Sequence, residues 1–170
     1  MTEAPIYERA ELSKQTANHV ALSPVSMLKR TSAVHPERTA VIHGSIKRTW
    51  AETEQRCRRL ASALIKHGIG KGDTVAVLAP NIPEMLECHF AIPMIGAVLN
   101  ANNTRLDAQT IAYILDHSET SAFLVDTEFS SLAEKALEIA KVKPIVIDID
   151  DTQGPGGQKI GSLTYDDLLE

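Results

Sequence analysis

The chain has 170 residues, of which 44% are hydrophobic and 23% charged, with a formal net charge of -5. This balance suits a folded chain with one core and excludes a disordered one, and the acidic excess excludes a basic surface for nucleic acid or anionic membrane. No stretch has the length of a membrane span, and Glu3, Glu8 and Glu11 interrupt any signal or transit peptide, so the default expectation is a cytoplasmic protein.

Residues 1–22 read as a polar lead-in and residues 23–170 as a single α/β unit. Ser23 and Pro24 have the chemistry of a helix cap and first turn, with Val25, Met27 and Leu28 as the apolar face, and His35-Pro36 closes that helix. Thr39–His43 and Ile46–Thr49 flank Gly44-Ser45 and predict a β-hairpin. Thr49 and Glu52 have capping-box spacing. The helix they open places Trp50, Thr53, Cys57, Leu60, Ala61, Leu64 and Ile65 inward, with Arg56, Arg58, Arg59 and Lys66 away from the core.

The run from Thr74 to Ala79 is continuously apolar, as suits a strand covered on both faces. Asn81 and Pro83 start a helix that is apolar nearly all round through Ile95 and is therefore expected to be buried, with Pro93 bending it from inside. Ala97–Asn100 predicts a second parallel strand, and Asp107 caps a helix running to about Asp116. Ser121–Val125 is a third strand, Ser131–Lys141 a helix, and Pro144–Asp148 a fourth strand. Asp150–Gly161 is glycine-rich and reads as a loop, followed by a short helix near Thr164. Alternating strands and helices at this spacing predict βαβ units and a parallel sheet preceded by the hairpin.

Several motifs invite functional readings that their context removes. Gly68-Ile-Gly-Lys-Gly-Asp73 lacks the Lys-Ser/Thr of a phosphate loop and closes a helix rather than opening one, so it reads as a helix cap and turn. Cys88 and His89 are adjacent on a helix, about 100° apart, and do not pair as nucleophile and base. Cys57 and Cys88 read as buried reduced thiols, and His19, His35, His43, His67 and His117 have no metal-ligand spacing. Asp148, Asp150 and Asp151 offer carboxylates to a cation, but the reading preferred for them is a wet, solvated strand end. Asn102-Asn-Thr104 has the form of a glycosylation acceptor, relevant only in a secreted protein.

Three ordered segments carry a family likeness. The first joins Thr49-Trp-Ala-Glu52, Arg58-Arg-Leu-Ala61 and Gly68–Asp73; the second is Val75-Ala-Val-Leu-Ala-Pro80-Asn-Ile-Pro-Glu84; the third is Gly96-Ala-Val-Leu-Asn100 with Asn103-Thr-Arg-Leu106. Together, over about residues 24 to 148, they resemble the adenylate-forming superfamily of acyl- and aryl-CoA synthetases, luciferases and nonribosomal adenylation domains. The wording from Ala91 to Asp107 is most similar to the short- and medium-chain acyl-CoA synthetases.

That resemblance implies part of the large N-terminal domain of a two-step ligase using ATP, Mg²⁺, a carboxylic acid and CoA. It also implies that the chain is truncated before the Ser/Thr/Gly-rich ATP loop and the catalytic lysine, so that by itself it is inactive. Arg105 is the one candidate site residue. It follows a core strand and precedes a helix N-terminus, where anions gather in open α/β sheets, and in related ligases the arginine of this segment lies near the CoA nucleotide phosphate. The structural reading of Arg105 is an ion pair with a carboxylate such as Asp107. Two rivals remain: a non-catalytic CoA- or nucleotide-binding module, and a structural or regulatory fragment that self-associates through uncovered apolar surface.

Overall fold

A strand with no polar side chain to offer solvent must be covered on both faces, and Val75, Ala76, Val77 and Leu78 are all fully buried. In the computed structural model, which describes residues 13–17, 19–20 and 22–170, this strand is β3 (Thr74–Leu78). The predicted lead-in therefore lies largely outside the described residues. Five parallel strands pair in the order β4-β3-β5-β6-β7, with β4 at Val98–Ala101, β5 at Thr120–Asp126, β6 at Ile145–Ile149 and β7 at Leu163–Thr164. Val75 lies opposite Leu99 on one side and Ala122 on the other, and Leu124 opposite Ile147.

Right-handed crossovers decide which face each helix covers. From β3 the chain moves outward to β4 and then back across to β5, so helices on these two connections fall on opposite faces. On one face, α2 (Trp50–Lys66), α3 (Pro83–Met94) and α6 (Tyr165–Leu169) pack with Val75, Val77, Leu124 and Ile149. On the other, α4 (Ala108–His117) and α5 (Ser130–Ile139) pack with Ala76, Leu78, Phe123 and Val125. The helix α1 (Pro24–Val34) and the hairpin of β1 (Thr39–His43) and β2 (Ile46–Thr49) sit beside the first layer.

The local signals form as predicted. Ser23 accepts from the Ser26 N–H and opens α1, and Gly44 takes φ +56° in the two-residue hairpin turn. Thr49 accepts from the Glu52 N–H while the Glu52 carboxylate accepts from the Thr49 N–H at 2.7 Å. The boundaries and faces are corrected in four places. Ile65 is 59% exposed, because the buried stripe is Thr53, Cys57, Leu60, Ala61 and Leu64, and Ile65 is turned 100° past it. The helix α3 ends at Met94 rather than Ile95, with Pro93 in its last turn, and the Gly96 N–H closes that turn on the Pro93 carbonyl. The short strand β7 has no counterpart in the sequence reading.

The fourth correction concerns charge. Arg56, expected to point away, turns inward, and α3 is not purely apolar, since Glu87 is 1% exposed. The Glu87 carboxylate accepts from Arg56 of α2 at 2.7 Å, from Arg48 of β2 at 2.8 Å and from the Tyr165 hydroxyl of α6 at 2.7 Å. Arg48 also reaches Glu84 at 3.3 Å, and the Arg56 guanidinium lies over the Tyr165 ring, 5.9 Å from its centroid. Burial pushes the Glu87 carboxyl up, and Arg56, Tyr165 and Arg48 pull against it. One anion thus joins the hairpin, α2, α3 and α6.

Replacing Glu87 with Ala leaves two partly buried guanidiniums with only their longer contacts to Glu84, at 3.3 Å from Arg48 and 3.6 Å from Arg56, and is expected to cost about 3–5 kcal/mol in urea unfolding, whereas Tyr165→Phe costs about 1–3 kcal/mol. Equal effects of the two changes would show that the arginines do not depend on this carboxylate. Cys57 and Cys88 are fully buried, and burial pushes the Cys57 thiol up to about 12. Neither should react with a disulfide reagent at pH 8 until the chain is unfolded, as counted by thiol absorbance.

Candidate functional site

In an open α/β sheet the crevice lies outside the carboxyl ends of the strands, where the strand order reverses. Here the reversal falls between β3 and β5, so the segments leaving β3, β4 and β5 define the candidate site. Beyond β4 the chain turns sharply. The Asn102 N–H donates to the Val77 carbonyl at 2.8 Å, which tucks Asn102 under the loop at 5% exposure. Its amide nitrogen donates to the Asn100 carbonyl at 3.3 Å, but Asn102 Oδ1 has no partner among the described residues. A cavity of about 420 Å³ opens there, walled by Pro80, Asn81, Met85, His89, Asn102 and Thr104.

The next residues aim Arg105. Asn103 Oδ1 accepts from the Arg105 N–H at 2.9 Å, an Asx turn that sends the side chain outward. Asp107 is occupied elsewhere: it accepts from the Thr110 N–H and hydroxyl, both at 2.9 Å, and these bonds hold its carboxyl below the usual range. The expected Arg105–Asp107 pair therefore does not form. Arg105 is exposed, and its guanidinium makes no ion pair or hydrogen bond among the described residues. It stands at the N-terminal end of α4, whose backbone N–H groups favour negative charge.

Beyond β5, Asp126 Oδ1 accepts from the Glu128 N–H at 2.9 Å, while Asp126 Oδ2 and Thr127 Oγ1 are buried without a partner among the described residues. Burial pushes the Asp126 carboxyl up. Nothing local marks this pair beyond an acid placed just after an apolar run. The loop after β6 closes over them: a Cβ added at Gly157 would lie 1.8 Å from the Thr127 carbonyl oxygen, so only glycine fits.

The same loop overturns the solvated reading of the acids. Asp148 is 1% exposed and accepts from the Ile160 and Gly161 N–H groups at 3.0 and 2.9 Å. Asp151 is buried too, with His43 Nε2 at 2.9 Å and the Gln153 N–H at 2.9 Å. The chain doubles back after β6, and two carboxylates satisfy backbone N–H groups that the turn removes from water. Only Asp150 is exposed, near Lys159 at 3.7 Å. Among the described residues no group of three or more His, Cys, Asp or Glu is arranged to hold a metal.

Other sequence candidates resolve as structure. Gly68 and Gly72 take φ +81° and +92°, and Asp73 accepts from the Gly70 N–H at 2.7 Å, a cap and turn as read. Cys88 is buried while His89 is exposed, its Nδ1 2.8 Å from the Met85 carbonyl, so the two do not act together. Asn102 is too buried to accept a glycan. No described helix is long and apolar enough to cross a membrane.

The AMP-binding enzyme family matches residues 28–166, and the chain belongs to that family. An acetate–CoA ligase of Humulus lupulus is 48% identical over 172 residues, covering 94% of this chain and 30% of the ligase. A benzoate–CoA ligase of Arabidopsis thaliana, described as peroxisomal, is 41% identical over 165 residues, covering 94% of this chain and 28% of its own length. The chain thus spans about 30% of the length of the curated relatives it matches. Among solved structures, a putative long-chain-fatty-acid CoA ligase from Rhodopseudomonas palustris superposes with a TM-score of 0.74 at 30% identity, over 88% of this chain and 36% of that one. An anthranilate CoA ligase in complex with anthranoyl-AMP shares the fold at TM-score 0.77 and 23% identity, over 85% of this chain and 27% of that one.

Replacing Asp148 with Ala removes the acceptor for Ile160 and Gly161. Hydrogen exchange should then lose protection at those two amides while β6 itself stays protected; unchanged exchange would show that the carboxylate does not hold the loop.

Proposed function

We propose that this chain is part of an AMP-forming acyl-CoA synthetase and supplies a wall of its CoA site. The reaction has two steps. A carboxylate oxygen attacks the α-phosphorus of ATP, forming the acyl-adenylate and releasing pyrophosphate; the CoA sulfur then attacks the acyl carbon and AMP leaves. The observation that carries the CoA reading is the unpaired Arg105 guanidinium at the N-terminal end of α4, beside the loop that walls the cavity. A planar, permanently charged donor suits the 3′-phosphate of CoA.

The fit extends no further toward ATP or Mg²⁺. No cluster of carboxylates among the described residues is arranged for a cation, and the sequence has no Ser/Thr/Gly-rich loop closing in Pro-Lys-Gly. The acyl-adenylate step is accordingly assigned to the ligase as a whole, and this chain alone is proposed to be inactive. A cytoplasmic location remains part of the proposal, and co-fractionation with peroxisomes, the compartment given for the benzoate–CoA ligase of Arabidopsis thaliana, would overturn it.

Exchange of labelled pyrophosphate into ATP, tried with acetate through octanoate, is expected to give no turnover with the purified chain; clear turnover overturns the claim of inactivity. Calorimetry with CoA and dephospho-CoA tests the site. Binding of CoA is expected to weaken about tenfold or more both on loss of the 3′-phosphate and on Arg105→Ala, with partial recovery in Arg105→Lys. Equal affinity for the two ligands would remove Arg105 from the site.

A further inference from the structure

Asp126 Oδ2 and Thr127 Oγ1 are shut off from solvent by this chain's own residues, and the CoA reading uses neither. Asp126 is 3% exposed, and the loop after β6 lies on the turn that follows it, with Gly157 against the Thr127 carbonyl. Whatever neutralises Asp126 must therefore be small and internal. Three carboxylates face it: Asp151 from the loop after β6, Glu128 from the turn Thr127–Phe129, and Glu84 from α3. The cations of this region are engaged elsewhere. His43 of the hairpin holds both oxygens of Asp151, at 2.9 and 3.1 Å, while Arg48 and Arg56 lie 3.3 and 3.6 Å from Glu84. Among the described residues no cation pairs with Asp126 itself, and no group of three or more His, Cys, Asp or Glu is arranged to hold a metal. A proton needs neither space nor a ligand shell.

A buried carboxylate with one bare oxygen and three acids around it is neutralised at least cost by protonation. Burial first, and then Asp151, Glu128 and Glu84, push the Asp126 carboxyl up against the opposing bond from the Glu128 N–H. We infer that the loop after β6 closes over Asp126 in its neutral form and loosens as the carboxyl ionises, which makes this acid a pH-sensitive latch. In the neutral form Oδ1 keeps the Glu128 N–H at 2.9 Å, and no charge on Asp126 opposes Asp151. Ionisation sets two like charges against each other beneath a segment that has no helix to stiffen it. Moving that segment is the cheapest relief. The movement undoes the Asp151 contacts with His43 and with the Gln153 N–H, both at 2.9 Å. It also frees the Gln153 side chain, which accepts from the Ser45 N–H in the hairpin turn at 3.2 Å. The inference does not rest on the CoA reading.

Infrared spectra of the full chain at about pH 6, where an ordinary aspartate is ionised, should show a neutral carboxyl stretch that Asp126→Asn lacks. Hydrogen exchange at Gln153 and Gly154, whose amides bond to Asp151, gives the second readout. After correction for the intrinsic effect of pH, their protection is expected to fall about tenfold or more as pH rises above the ordinary aspartate range. In Asp126→Asn it should stay level. A carboxyl pushed up by the fold favours folding only while protonated, so Asp126→Asn should also gain thermal midpoint over the unaltered chain as pH rises. His43→Gln tests the other titratable partner of Asp151 and should keep the pH response. A response lost in His43→Gln and kept in Asp126→Asn overturns the inference, as does protection that stays level with pH in the unaltered chain. Equal carboxyl bands in the chain and in Asp126→Asn overturn it too. Should Asp126→Asn not fold, the exposed change Glu128→Gln takes its place. It removes a facing negative charge, so the response must move to lower pH, and one that stays or moves up overturns the inference. CoA binding enters neither readout, so the two readings fail separately.

Discussion

Taking the Glu87 carboxylate out of water would be prohibitive without compensation, and the compensation comes from three different elements. Arg48 belongs to the hairpin, Arg56 to α2 and Tyr165 to α6, while Glu87 itself lies on α3. Each partner is correctly placed only if the element carrying it is correctly packed on the first face of the sheet. A buried charge with fixed donors penalises alternatives more than it adds stability, because a slipped helix strands the charge without a partner. The hairpin in particular forms a separate two-stranded sheet, and Arg48 is a polar tie binding it to the main body.

This interaction is also where the sequence was least legible. Periodicity placed the helices and the strands of the parallel sheet because apolar spacing reports local geometry directly: the stripe Thr53-Cys57-Leu60-Ala61-Leu64 is buried as read. Capping chemistry was equally local, and Ser23, Thr49 and Asp107 all cap as their side chains require. Arg56 and Glu87 are separated by 31 residues along the chain, and nothing local to either reveals the other. A charged residue on the flank of an amphipathic helix reads as solvent-facing unless its partner is known. The same blindness applied to Asp148, whose partners Ile160 and Gly161 lie across a loop with no periodicity of its own.

The candidate site was legible in one half only. Arg105 could be singled out because its position, after a strand and before a capped helix, is a chain-local fact with a general physical meaning. The cavity beside it could not, since its walls come from the ends of β3 and β4 and from α3. Asn102 stands in an acceptor motif, yet what distinguishes it is an amide oxygen buried without a donor among the described residues. Orphaned polar atoms are properties of packing, and sequence patterns do not contain them.

Among the connections of the parallel sheet, the one between β6 and β7 differs in having no helix. Asp151 fastens its start to the hairpin through His43, Gly157 rests on the Thr127 carbonyl, and Asp148 gathers its end at Ile160 and Gly161. These three attachments divide one long excursion into short arcs, each closed independently of the others. Lengthening a single arc adds only a logarithmic closure cost, on the order of 0.6 kcal/mol per doubling, and leaves both anchors in register. The stretch from Gly154 to Gly156, between two anchors and exposed, is thus where family members are free to gain or lose residues without displacing α6. Length variation among relatives should concentrate there, with the flanking aspartates and Gly157 acting as its boundaries.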